Sequence, residues 1–129
     1  MTGSKIFLGL SVLLWLPYGL YCVLAPEYLA EIAGVVGATA TGTTEIRAMY
    51  GGLQAGIGAL CLTALLNAEF EKTALVAVFF LSAGLFLGRF TGLLLDGSGS
   101  EYTYGALVFE GLNTAVAGTF ARRALSVPR

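Results

Sequence analysis

Four apolar runs, residues 6–25, 46–66, 73–95 and 104–120, decide what this chain can fold into. A bilayer core about 30 Å thick is crossed by roughly 17–25 helical residues, and all four runs fall in or near that window. The fourth is the shortest and gains length by taking in Tyr102 and Ala121. Over 129 residues, 57% are hydrophobic and 12% charged, whereas soluble domains carry about 25% charged residues. A soluble domain this small exposes too much of its surface to hide so many apolar side chains. The runs lack the alternation of barrel strands. Pro17 lies inside the first run, which a lipid-embedded helix tolerates. The expected fold is all-α: one integral membrane domain over 1–129, built as a four-helix transmembrane bundle.

The first run can also be read as a signal peptide, because Lys5 gives it a basic start. Its apolar stretch exceeds the usual length and no small-x-small cleavage site follows, so the anchored helix is the reading adopted. Four spans would put both termini on one side, with Lys5, Lys72, Arg122, Arg123 and Arg129. The other side's connections hold Arg47 against Glu27, Glu31, Glu45, Asp96 and Glu101. Basic residues stay inside, so both termini are expected in the cytoplasm, with the chain in the cell's inner membrane.

The connection from Pro26 to Thr44 is the long one. Leu29, Ile32, Val35 and Val36 recur at helical spacing, with Glu27 and Glu31 elsewhere on the turn. This predicts a short amphipathic interfacial helix between helices 1 and 2, although a solvated loop fits as well. Residues 38–42 read as a flexible return, and Thr44 as a cap placing Glu45 at the positive end of the second helix. Gly52 and Gly56, then Gly84, Gly88 and Gly92, form small-xxx-small stripes that let helices approach closely in lipid. Packing within the chain accounts for them, as does contact with a second copy or another membrane protein.

Polar residues inside the runs carry the functional signal. Arg89 lies roughly 9 Å from the outer end of the third run and Glu110 roughly 12 Å into the fourth, by helical rise. At such matched depths the two are expected to pair, since a lone charge there costs at least a few kcal/mol. Arg47, Gly51, Gln54, Gly58 and Cys61 share one face of the second run, Glu110, Asn113 and Thr114 one of the fourth, and Ser11, Trp15, Tyr18 and Cys22 one of the first. Tyr18, Arg47, Gln54, Arg89, Glu110 and Asn113 are therefore expected to face one interior zone in the outer half. It reads either as a bonded network fixing helix register or as a ligand, substrate or proton site. A ligand site would be a cavity open outward, with apolar walls from Phe86, Phe90 and Phe109.

Other chemistry is thin. The chain has no histidine, so histidine-based metal, haem and triad sites are excluded. Cys22 and Cys61 fall roughly 20 Å apart in depth by helical rise, too far for a disulfide and too few for a metal cluster. No Walker loop, dinucleotide fingerprint or nucleophile elbow occurs, and scattered basic residues make no nucleic-acid footprint. Glu110 as a lone general base is the whole case for an enzyme. No catalytic residue, metal or cofactor is assigned.

The run Thr44-Glu45-Ile46-Arg47-Ala48-Met49-Tyr50-Gly51-Gly52 resembles the T-E-x-R-A-x-Y-G-G signature of a bacterial four-helix membrane family, domain of unknown function 4345. Pro26, Gly88-Arg89 with Asp96, and Glu110 match as well, so the likeness spans nearly the whole chain. It implies an inner-membrane protein distantly similar to DoxX-like proteins and supplies no activity. Glu45, Arg47, Tyr50, Arg89 and Glu110 are where the family pattern and the buried-polar argument coincide. Three functions are expected to compete. One is a non-enzymatic accessory packed against another membrane protein or a second copy. Another binds a lipid, quinone or other apolar small molecule at Tyr18, Glu45, Arg47, Tyr50, Gln54, Arg89, Glu110 and Asn113. The last is a transporter or channel subunit.

Overall fold

A computed structural model describes residues 2–126, which fold into helices with no strand among them. In chain order these are α1 (Thr2–Leu24), α2 (Tyr28–Ala33), α3 (Ala40–Ile46), a π-helical turn (Arg47–Gly52), α4 (Leu53–Leu66), a 3-10 turn (Ala68–Phe70), α5 (Glu71–Asp96) and α6 (Glu101–Ser126). Three stretches, Thr2–Leu24, Ala40–Leu66 and Ala68–Asp96, are long and apolar enough to cross a membrane. α6 has 26 residues but carries Glu101, Glu110, Asn113, Arg122 and Arg123 and falls short of the others in apolarity. Arg129, counted above among the basic residues, lies outside the described residues. The chain forms two compact units, one up to Phe70 and one from Glu71.

In the first unit α1 packs along α4 and the π-turn. Glycine sets the separation. A Cβ on Gly58 would stand 2.5 Å from the Leu16 nitrogen, and one on Gly51 would stand 2.8 Å from the Val23 nitrogen. The backbones touch where those side chains are missing. Pro26 ends α1, because a proline offers no N–H to the preceding turn and disfavours helix in the residue before it. α2 follows after one turn and stops at Gly34, whose φ of 67° is left-handed. The Val35 N–H then folds back on the Leu29 carbonyl at 3.1 Å.

The long connection ends earlier than the sequence suggests. Thr39, not Thr44, caps the second long helix: its hydroxyl accepts from the Gly42 N–H at 3.0 Å, so residues 40–42 are its first turn rather than a flexible return. Thr44 lies inside that helix, its hydroxyl donating back to the Ala40 carbonyl at 3.0 Å. The earlier start satisfies an N-terminal donor, which the polar composition of residues 38–42 conceals.

In the second unit α5 and α6 run antiparallel as a helical hairpin. Gly97, at φ 66°, closes α5, and its N–H reaches the Leu93 carbonyl at 3.2 Å. Ser100 caps α6 by accepting the Thr103 N–H at 3.1 Å. The buried face of α6 follows Thr103, Leu107, Glu110, Asn113, Ala117 and Ala121, spaced by threes and fours as one helical stripe. Two of its small residues receive aromatic rings of α5: Gly111 lies under Phe86 and Gly118 under Phe79.

Candidate functional site

The second unit holds the ion pair expected from depth alone. Arg89 lies on α5 and Glu110 on the buried stripe of α6. The guanidinium donates from Nε to Oε1 at 3.2 Å and Oε2 at 3.0 Å, and from Nη2 to Oε1 at 2.8 Å. This two-nitrogen grip is the strong form of a charge-assisted bond. The carboxylate side chain is 5% exposed and the guanidinium side chain 24%. The acid is sealed inside the hairpin, while the base is partly exposed. The Tyr102 ring lies 5.5 Å from the guanidinium carbon, within cation–π range. Two turns before Arg89, Ser82 accepts the Asn113 amide at 2.8 Å in a fully buried bond. Thr114 donates to the Glu110 carbonyl at 2.7 Å. Phe86 and Phe90 stack on α5 with ring centres 6.0 Å apart.

The first unit places the other candidates. Tyr18 and Tyr50, both half-buried, pack with Ile32 and Val35 around the buried cluster of Cys22, Leu29 and Ile46. Gln54 is half-buried on α4, and Glu45 is exposed. Arg47 departs from expectation. A continuous α-helix would set it on the same face as Gly51, Gly58 and Cys61, yet Arg47 is exposed and Ile46 is the buried residue. The π-turn is the cause: its wider turn carries one extra residue, so the inward position before Gly51 falls five residues back instead of four. From the flank, the Arg47 Nη1 donates to the Val23 carbonyl and, at 3.4 Å, to the Leu24 carbonyl. These belong to the last turn of α1, whose carbonyls lack helical partners, and a cation there also faces the negative end of the helix dipole.

The structure thus joins Arg89 to Glu110 and, within the first unit, packs Tyr18 and Tyr50 against the one buried cluster. It gives Asn113 to Ser82 and Arg47 to the end of α1. In the sequence Ser82 carries no assigned role and Tyr102 reads only as an extension of the fourth run. Ser82 stands seven residues before Arg89 and Tyr102 eight before Glu110, so each lies two turns away on about the same face. That spacing was the available signal. Among the described residues no group of three acidic, cysteine or histidine side chains could hold a metal ion.

An all-helical chain with three membrane-length apolar helices and a buried arginine–glutamate pair is the class that sequence and structure define together. The family model for a domain of unknown function, DUF4345, matches residues 3–120, and the chain belongs to that family. No curated protein and no solved structure matches it.

Proposed function

We propose that this is a multi-pass protein of the bacterial inner membrane, with four spans and both termini in the cytoplasm, acting as a non-enzymatic accessory that packs against a larger membrane protein. The observation that carries the reading is how the second unit spends its polar groups. Arg89 and Glu110 bind each other through two nitrogens and two oxygens, and Asn113 binds Ser82. Meanwhile a Cβ added at Gly84 or Gly88 would meet nothing within 4 Å. The polar residues fix the register of one hairpin, and a bare backbone stripe is left for a neighbour's helix.

Register supports the fourth span. Arg89 meets Glu110, Ser82 meets Asn113, Phe86 meets Gly111 and Phe79 meets Gly118. These contacts run along two helices of 26 residues each. A helix held this way along α5 crosses where α5 crosses, its one deep acid neutralised by Arg89. α2 suits the outer surface, with Leu29 buried and Glu27 and Glu31 exposed.

Two experiments test this reading. Cysteines introduced in Gly97–Ser100 should react with an impermeant reagent on intact cells, and one at the C-terminus should not. An externally reactive tail would mean three spans. Affinity capture in mild detergent should recover a stoichiometric partner protein that Gly84→Leu/Gly88→Leu loses. Recovery of copies of this chain alone would make the stripe a homo-oligomer face. A retained lipid, quinone or other apolar small molecule instead would favour a second reading, binding beside the partly exposed Arg89, Tyr102 and the Phe86–Phe90 stack.

A further inference from the structure

We infer that residues 25–39 form a lid over the outer core of the first unit, latched by Arg47. The inference goes beyond the accessory reading and does not depend on it. The lid contributes Leu29, Ile32 and Val35 to a cluster completed by Tyr18, Cys22, Ile46 and Tyr50. Leu29 and Cys22 are 0% exposed. Much of the rest of the segment is exposed, including Glu27, Ala30, Glu31, Gly34, Val36 and Ala38. Its inner side is therefore a few apolar side chains thick.

The two ends of the lid are held differently. At the far end Gly37 lies so close to Thr43 that a Cβ would stand 2.6 Å from the Thr43 nitrogen, which makes that end a packed anchor. At the near end Pro26 has broken the helical ladder, and the Val23 and Leu24 carbonyls instead receive Arg47. The left-handed Gly34 between the two ends supplies a joint that other residues adopt only with strain. Release of Arg47 therefore frays the last turn of α1 and lifts α2 about the Gly37 anchor, baring Cys22, Tyr18 and Tyr50. The π-turn gives the latch its place, because without the extra residue Arg47 would occupy the inward position taken by Ile46.

The two free cysteines report on this. Cys22 lies under the lid, and Cys61 is buried on α4, away from the lid cluster. In detergent micelles, Arg47→Met should raise maleimide labelling of Cys22 about tenfold or more, the factor expected from losing a charged hydrogen bond through local opening. Labelling of Cys61 should stay unchanged, and Arg47→Lys should fall between. Unchanged Cys22 labelling, or an equal rise at both cysteines, overturns the lid. Should Arg47→Met fail to fold, the unaltered protein decides. A small local opening exposes little surface, so Cys22 labelling should barely respond to low SDS while Cys61 labelling climbs steeply. Parallel responses would mean that Cys22 opens only with the whole unit and would overturn the proposal.

Discussion

Arg89→Leu alone will destabilise the α5–α6 hairpin by about 3–5 kcal/mol, the cost of stranding the buried Glu110 carboxylate, and Glu110→Leu, which strands a partly exposed guanidinium, by less. The two changes together will restore most of that loss. The sign of the double variant is the informative part. A paired arginine and glutamate give back in mutual attraction what they lose in desolvation, so two leucines of suitable size perform about as well. Removing one partner leaves the other with the full penalty and no return. The geometry makes the coupling strong, because three hydrogen bonds of 2.8–3.2 Å join the groups and the carboxylate is 5% exposed. SDS or thermal melts of the four proteins form a double-mutant cycle. Strictly additive losses would show that the pair contributes nothing as a pair.

The Arg89–Glu110 pair was legible in the sequence because depth is a one-dimensional quantity. Two opposite charges on consecutive apolar runs, at matched distances from their shared loop, require only antiparallel neighbours to meet. Helix existence was legible for the same reason, since long apolar runs leave little choice of secondary structure. The boundaries were less so. Each described long helix starts before its apolar run, and α5 (Glu71–Asp96) and α6 (Glu101–Ser126) also end beyond theirs, because backbone hydrogen bonding continues into polar residues and halts only at a cap or breaker. Thr39, Pro26 and Gly97 were such signals. Thr44 stands inside the helix, because Thr39 accepts the Gly42 N–H and starts it a turn earlier.

The face of the second long helix was misread for a more instructive reason. Counting by threes and fours assumes a constant 3.6 residues per turn, and the Arg47–Gly52 segment does not keep it. Gly51 near the end of the π-turn and Gly58 and Cys61 beyond it fall on the inward face as counted, and at the start of the turn the inward position shifts by one, from Arg47 to Ile46. Arg47 therefore reaches the carbonyl end of α1, and Ile46 fills the buried position. No residue type in Arg-Ala-Met-Tyr-Gly-Gly announces the wider turn. The motif's glycines say only that a backbone comes close, which Gly51 confirms against Val23.

Gly58→Leu will break the packing of α1 on α4, while Gly56→Leu, two residues away on the same helix, will be tolerated. Both positions are helical, so a leucine gains similar helix propensity at each, and what separates them is space. At Gly58 a Cβ would stand 2.5 Å from the Leu16 nitrogen and 2.7 Å from its Cα. Backbone is the obstacle there, and no rotamer change relieves it. The helices must separate, and with them go the contacts that pack α1 along α4. The loss should reach or exceed the roughly 1–3 kcal/mol typical of an overpacked core. At Gly56 a Cβ would meet nothing within 4 Å, so its change should cost no stability and gain up to roughly 1 kcal/mol of helix propensity. Melting both variants in the same detergent compares them directly. Equal losses at the two positions, or a stable Gly58→Leu, would mean that α1 and α4 are not held by the backbone approach at Gly58.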